Sequence, residues 1–150
     1  MADITTHFTQ HFSFKEMTVT NTGLKNWPAP YEIWYNLQAL CTAVLEPARK
    51  FIGLPIKVNS GYRSEEVNKA LADAYKKAGK KIVVATNSQH MVGEAADITL
   101  GSKELNKKLF EWMQHNVEYD QLIDEKNYQW IHVSYKRAEK NRKQVLHLAP

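Results

Sequence analysis

Apolar residues recur at steps of three and four along three stretches of the chain, and this spacing predicts amphipathic helices. The first helix covers residues 33–52 and contains Pro47, so either one helix kinks there or two helices meet. Gly53 is a suitable end for it. The second helix is predicted over residues 64–79 and the third over residues 102–114.

Four shorter runs lie between and after these helices and have the composition of β-strands. They cover residues 55–60, 95–100, 119–124 and 129–135. The last two are predicted to form a hairpin, because only a tight connection at 125–128 separates them. The stretch between the second helix and the second strand is expected to be a loop.

The length of the chain limits its organisation. With 150 residues it can form one domain with a hydrophobic core, and we expect a single domain over 1–150 whose ends, 1–11 and 136–150, are peripheral. Cys41 is the only cysteine, which excludes an internal disulfide framework. Neither a signal peptide nor a membrane-spanning run is visible, so we expect a soluble protein made in the cytoplasm.

The net charge of +4 favours polyanionic surroundings, such as nucleic acid or an anionic cell wall, but it does not choose between them. The most basic stretch is the tail at 136–143. It is interpreted either as a solvated end or as a contact with cell wall or nucleic acid.

Two imidazoles and a carboxylate form the chief candidate for chemistry. His90 and Asp97 stand seven residues apart with Gly93 between them, and His132 lies in the last predicted strand. Gly93 lets the loop turn tightly, so that His90 can fold back toward Asp97. Two His and one Asp can fill three corners of a tetrahedral zinc site and leave the fourth for water. The alternative for each His is a hydrogen-bonded core residue.

A hydrolase built on such a site also needs a proton acceptor and a cation for the developing oxyanion. Arg63 follows a predicted strand and a glycine turn, so its guanidinium can reach a cleft and grip an oxyanion. The alternative is an ordinary surface arginine.

Four sequence blocks follow one another along the chain: SGYRS at 60–64, S-x-H-x-x-G-x-A-x-D at 88–97, DQLI at 120–123 and WIHVS at 130–134. In this order they resemble the zinc D-Ala-D-Ala carboxypeptidases, peptidase family M15, in its phage-type and small bacterial branch. The resemblance extends over about residues 12–135.

The resemblance implies an α+β fold, in which a small antiparallel sheet carries the metal and helices pack against it. It implies zinc bound by His90, Asp97 and His132. It also implies that Arg63 stabilises the substrate carbonyl as negative charge grows on it.

Ser88, Tyr62 and Gln129 are the expected substrate-binding residues. One departure from the family concerns Gln129, since several members carry an acid there as the general base and an amide cannot accept a proton. We therefore expect Glu125 to be the base, with Asp124 as a minor candidate. The other interpretation is a metal site that is slow or inactive.

The family cleaves peptides of the bacterial cell wall, either at terminal D-Ala or within stem peptides and cross-links. We expect a zinc peptidase that acts on peptidoglycan as a monomer, without a nucleic-acid or membrane partner. A phage or prophage lysis enzyme would act on the cell wall. The alternative is a catalytically degenerate module that binds cell wall or belongs to a virion.

Overall fold

The computed structural model describes residues 6–85 and 87–148. The strands of this part of the chain are β1 His7–Thr9, β2 Phe12–Ser13, β3 Lys57–Ser60, β4 Ala95–Thr99, β5 Gln121–Glu125, β6 Trp130–Ser134 and β7 Gln144–Leu148. Its α-helices are α1 Phe14–Met17, α2 Tyr31–Leu40, α3 Glu46–Ile52, α4 Glu65–Lys77 and α5 Lys103–Asn116. In this region every helix is too short or too polar to span a lipid bilayer.

Helices and strands together form an α+β fold, as expected. Pro47 does not break the first predicted helix. Instead, α2 continues through a π-helical turn, Cys41–Leu45, into α3. Proline has no N–H, so residue 47 cannot donate an α-helical hydrogen bond. The wider π-helical turn lies just before this position. Gly53 ends the helix in the left-handed conformation, with its N–H bonded to Arg49.

The main sheet of the described residues has the order β3-β4-β6-β5-β7. Pairs β3–β4, β4–β6 and β6–β5 are antiparallel, whereas β7 runs parallel to β5. The prediction of a purely antiparallel sheet is therefore corrected to a mixed sheet, and β7 was not predicted. Because β6 is antiparallel to β5, it ends beside the start of β5. The chain can cross there and run alongside β5 in the same direction.

One face of this sheet is covered by helices and the other is not. Side chains alternate along each strand, so every second residue of β4, β5 and β6 points toward the helices. The core formed on that side includes Leu37, Leu40, Val44, Leu45, Ile98, Leu109, Phe110, Met113, Leu122 and Ile131. The residues between them on the strands point to the opposite face, which forms the floor of an open cleft.

The chain ends contribute to this architecture. The sequence predicts peripheral segments at 1–11 and 136–150, whereas Phe8 is buried in the core and β7 forms an edge of the sheet. The basic tail was interpreted as a solvated end or a contact. In the structure it leads into β7.

Candidate metal centre

Asp97 and His132 lie directly opposite each other on the neighbouring strands β4 and β6. Both side chains point away from the helices, because their strand neighbours Ala96, Ile131 and Val133 are buried in the core. The His132 Nδ1 atom is 3.0 Å from the Asp97 Oδ1 atom. Sheet register therefore brings two of the three predicted ligands together.

The third imidazole comes from a 3₁₀ turn, Gln89–Val92, at the edge of the cleft. Ser88 caps this turn by accepting a hydrogen bond of 3.1 Å from the His90 N–H. Gly93 ends it with a φ of 75°, and a Cβ at Gly93 would lie 2.7 Å from the Ile33 carbonyl oxygen. Both the backbone conformation and the available space therefore require glycine. The turn places His90 Nε2 3.3 Å from Asp97 Oδ1.

A backbone carbonyl fixes the tautomer of His90. Its Nδ1 lies 2.7 Å from the Gly61 carbonyl oxygen, which can only accept a hydrogen bond. The proton is therefore on Nδ1, and the lone pair of Nε2 points toward Asp97. Metal-binding histidines are commonly oriented by such a second hydrogen bond.

The three candidate ligand atoms lie within 4.8 Å of one another. In a tetrahedral zinc site with bonds of 2.0–2.1 Å, neighbouring ligand atoms are about 3.3 Å apart. The observed separations of 3.3 Å and 3.0 Å between Asp97 Oδ1 and the two ring nitrogens fit this spacing. Two imidazoles and a carboxylate are also a donor set that suits zinc.

The charge states of these groups favour metal binding. Burial raises the pKa of Asp97, but positive charge on His90 and hydrogen bonds from the two imidazoles outweigh burial and lower that pKa far below its usual range. A metal cation at the same place would act on the carboxylate in the same direction. Burial lowers the pKa of His90, with Asp97 opposing. An ionised carboxylate and a neutral imidazole are the forms that bind a metal ion.

Arg63 lies beside this site and is buried. Its backbone N–H donates to the His90 carbonyl oxygen at 3.0 Å, and its Nη2 is 3.5 Å from Ser88 Oγ. Burial lowers its pKa, while the charge of Asp97 opposes the change. The Arg63 Nε has no hydrogen-bond partner among the described residues. That Nε atom is itself buried, so the part of Arg63 that lines the cleft beside Ser88 is the part available to a substrate oxygen.

Glu125 and Asp124 point to opposite faces of β5. Glu125 lines the cleft and stands opposite Trp130, two residues from His132 on the same face of β6. Burial and the nearby Asp97 carboxylate raise the pKa of Glu125. Asp124 is buried on the helix side and binds His147. Of the two predicted bases, the structure thus brings Glu125 to the cleft.

Two predicted substrate-binding residues lie elsewhere. Tyr62 is buried in the hydrophobic core. Gln129 is exposed at the end of the β5–β6 hairpin, where its N–H bonds to the Glu125 carbonyl oxygen at 3.0 Å. Among the described residues that line the cleft, Ser88 is present and these two are not.

Sequence reasoning missed the second wall of the cleft, which is formed by α4. Val67, Leu71 and Tyr75 line it at steps of four residues, on one side of that helix. Burial raises the pKa of Tyr75, and the Asp97 and Glu125 carboxylates add to this effect. Tyr75 lines the same cleft as these two carboxylates. The whole cleft has a volume of about 1380 Å³. The steps of four residues between Val67, Leu71 and Tyr75 are visible in the sequence and could have indicated that α4 lines the cleft.

Asp120 was part of a predicted motif but had no assigned role. Its carboxylate is fully buried and accepts a hydrogen bond of 3.0 Å from Gln89, the residue before His90. Arg142 binds the same carboxylate, with Nη2 2.6 Å from Oδ2. These hydrogen bonds, Arg142 first, lower the pKa of Asp120 to about 2. Asp120 thus connects the ligand-bearing turn to the basic tail.

Fold and site together define an α+β protein with a candidate three-ligand metal centre on the open face of its sheet. The model of the family Peptidase M15 matches residues 10–134, and the chain belongs to that family. This confirms the resemblance seen in the sequence motifs and supports a peptidase-type function in general. The family is generally zinc-dependent. No curated protein matches the chain significantly.

Proposed function

We propose that the protein is a zinc-dependent peptidase that hydrolyses peptide bonds in the stem peptides or cross-links of bacterial peptidoglycan. The observation that carries this proposal is the convergence of His90, Asp97 and His132 within 4.8 Å in a cleft that Glu125 and Arg63 also line. A metal site, a proton acceptor and a cation are the three components that metal-assisted peptide hydrolysis requires.

The three ligand residues would hold the ion, with His90 Nε2, His132 Nδ1 and an Asp97 carboxylate oxygen as donors. A zinc ion bound there lowers the pKa of a coordinated water to about 7 and polarises the scissile carbonyl. Since residues 6–85 and 87–148 supply three candidate ligands, a position remains for water or substrate, as in catalytic rather than structural zinc sites.

Glu125 is the proton carrier in this proposal. It accepts a proton from the attacking water as the new C–O bond forms, and it donates that proton to the amine nitrogen as the C–N bond breaks. Burial and the Asp97 carboxylate raise its pKa, which makes Glu125 a better proton acceptor than an exposed glutamate.

Arg63 stabilises the negative charge that develops on the carbonyl oxygen. Arg63 is buried, and its Nη2 donates a long hydrogen bond of 3.5 Å to Ser88 Oγ. The guanidinium is therefore oriented before the charge develops. Preoriented donors of this kind contribute more than mobile ones, because they do not have to reorganise as the charge develops. Ser88 keeps the additional role of binding a substrate oxygen.

The substrate class fits the shape and charge of the molecule. An open cleft of about 1380 Å³ can accept an extended peptide rather than a single amino acid. The net charge of +4 attracts an anionic cell wall. We propose that the protein acts there as a monomer, with the peptide as its partner.

The proposal is tested by mass spectrometry of peptidoglycan fragments after digestion with the zinc-loaded protein. We expect new amino termini in the peptide part, loss of this activity with a chelator, and recovery when zinc is added back. Glu125→Gln should lower kcat about 100-fold or more, whereas Glu118→Gln, an exposed acid outside the cleft, should not change it.

Binding of the protein to cell-wall sacculi without any new amino terminus would support a degenerate binding module instead. Activity that survives complete removal of metal would contradict the zinc mechanism. Full activity in Glu125→Gln would contradict the role of that residue alone and leave the metal assignment intact.

A further inference from the structure

The C-terminal strand lies outside the residues that match the family, and the proposed mechanism does not use it. β7 nevertheless runs along β5, the strand that carries Glu125. The register pairs His147 with Asp124 and Leu148 with Glu125. The proposed base therefore has β6 on one side of its backbone and the C-terminal strand on the other.

Asp124 and His147 form a hydrogen-bonded pair at the end of this strand pairing. The Asp124 carboxylate is buried and lies 3.2 Å from His147 Nδ1. Its other oxygen accepts a short hydrogen bond from the Tyr128 N–H. The His147 ring packs against the Tyr128 ring and against Phe110, with centroid separations of 6.4 and 5.4 Å. One buried carboxylate thus connects the C-terminal strand to the turn after β5.

That turn has an unusual backbone. Lys126, Asn127 and Tyr128 have φ values of 50°, 56° and 63°, and none of them is glycine. Each non-glycine residue in this region costs roughly 1–2 kcal/mol, so the turn needs support from its surroundings. The support comes from the bond of Tyr128 to Asp124 and from a bond of 2.9 Å between the Lys126 N–H and the Leu148 carbonyl oxygen.

The start of β5 is held by the same C-terminal segment. Arg142 binds Asp120, and the Gln144 side chain accepts a hydrogen bond of 2.7 Å from Gln121. The segment 142–148 therefore contacts β5 at both ends. Glu125 is the last residue of β5 and stands directly before the turn. It is therefore next to both the Asp124 carboxylate and the bond from Lys126 to Leu148.

We infer that β7, through the Asp124–His147 pair and the Leu148 carbonyl, is a positioning element that fixes Glu125 relative to the metal centre. The inference rests on the proposed role of Glu125 as the base. His147 is a positioning residue, since it touches the carboxylate behind the base and not the substrate. The function of the buried Asp124 is then to hold the turn, not to accept a proton from water.

The test compares His147→Ala, the rescue variant His147→Asn and the control His115→Ala in the full chain. Asn places an amide N–H where Nδ1 stands, while His115 is an exposed histidine on α5. For His147→Ala we expect kcat to fall about tenfold, with KM changed less than about twofold and bound zinc per chain unchanged. His147→Asn should regain most of the lost kcat, and His115→Ala should behave as the wild type.

A double variant separates positioning from a general loss of structure. If His147 acts through Glu125, adding His147→Ala to Glu125→Gln should lower kcat by less than about twofold. A further tenfold loss in the double variant would overturn the inference. So would unchanged kcat in His147→Ala, or a parallel loss of bound zinc.

Hydrogen exchange gives a readout without activity. The amides of Lys126 and Tyr128 should exchange at least about tenfold faster in His147→Ala than in the wild type. Equal exchange would overturn the inference. Absence of peptidase activity in the wild type would instead count against the proposed function, and the exchange rates would still decide whether β7 holds the turn.

Discussion

The ion pair between Arg142 and Asp120 offers a direct test of how the tail is attached to the fold. Arg142→Gln removes the guanidinium, whose Nε lies 3.0 and 3.1 Å from the two carboxylate oxygens and whose Nη2 lies 2.6 Å from one of them. The variant keeps the backbone N–H of residue 142, which donates to Asp120 at 2.9 Å. The perturbation is therefore confined to the charged contact.

The size of the effect follows from the pKa of Asp120. Hydrogen bonding to Arg142 is the main reason that this pKa falls from 3.8 to about 2. At about 1.4 kcal/mol per pKa unit, this difference corresponds to about 2 kcal/mol of unfolding free energy. Gln89 supplies part of it, and solvent screens the half-exposed Arg142 side chain. We therefore expect Arg142→Gln to lose about 1–2 kcal/mol at pH 7.

The sign of the pH dependence follows from the direction of the shift. A carboxyl group whose pKa is lowered by folding stabilises the protein above its unfolded pKa, near 4. This stabilisation is lost as the pH falls toward 2, where Asp120 becomes protonated in the folded protein as well. The difference between wild type and Arg142→Gln should thus shrink over that range.

The measurement is urea unfolding, followed by circular dichroism, at intervals from pH 7 to pH 2.5. Lys140→Gln is the matched control, because it removes an exposed positive charge from the same segment. Its stability should follow the wild type at every pH. A loss in Arg142→Gln that stays constant down to pH 2.5 would refute the reasoning, as would an equal loss in the control.

Three further outcomes are expected. Zinc at about 100 times its Kd should raise the unfolding free energy by about 2.7 kcal/mol, which is measured as a higher Tm. His90→Ala should remove most of this gain. A Tm that does not respond to zinc would count against the metal site. Tyr75→Phe should lower kcat about tenfold without lowering Tm, because it removes only the hydroxyl of a residue that lines the cleft. Tyr31→Phe, on an exposed ring, should have no effect. Equal rates in both variants would show that Tyr75 takes no part in the site. Gly93→Ala should lower the free energy of unfolding, measured in urea, by about 2 kcal/mol or more, because the added Cβ would lie 2.7 Å from the Ile33 carbonyl oxygen. A variant as stable as the wild type would contradict this close approach.

Local patterns were sufficient for most of the helices and strands. The predicted helices at 64–79 and 102–114 appear as α4 and α5, and all four predicted strands are present with ends shifted by a few residues. These elements were predictable because helix and strand spacing depend on neighbours within one or two turns. Similarly, the spacing of His90 and Asp97 around Gly93 pointed to the turn that joins them.

The role of the acids in β5 could not be read in this way. Leu122 and Asp124 share one face of the strand, while Ile123 and Glu125 share the other. Within residues 122–125 each face carries one apolar residue and one acid, so these four residues do not indicate which face is buried. Only packing against α5, which buries Leu122 and Asp124, decides that Glu125 faces the cleft.

The amino-acid sequence by itself determined helices α2 to α5, strands β3 to β6, and three side chains suited to one metal ion. The tertiary structure decided that β7 pairs in parallel with β5, that Tyr62 is buried, and that α4 forms the second wall of the cleft. The physical reason is the distance along the chain over which the two kinds of interaction act. Periodicity records which side of a segment is apolar, whereas strand order and the partner of each buried charge depend on segments that meet only after the chain has folded.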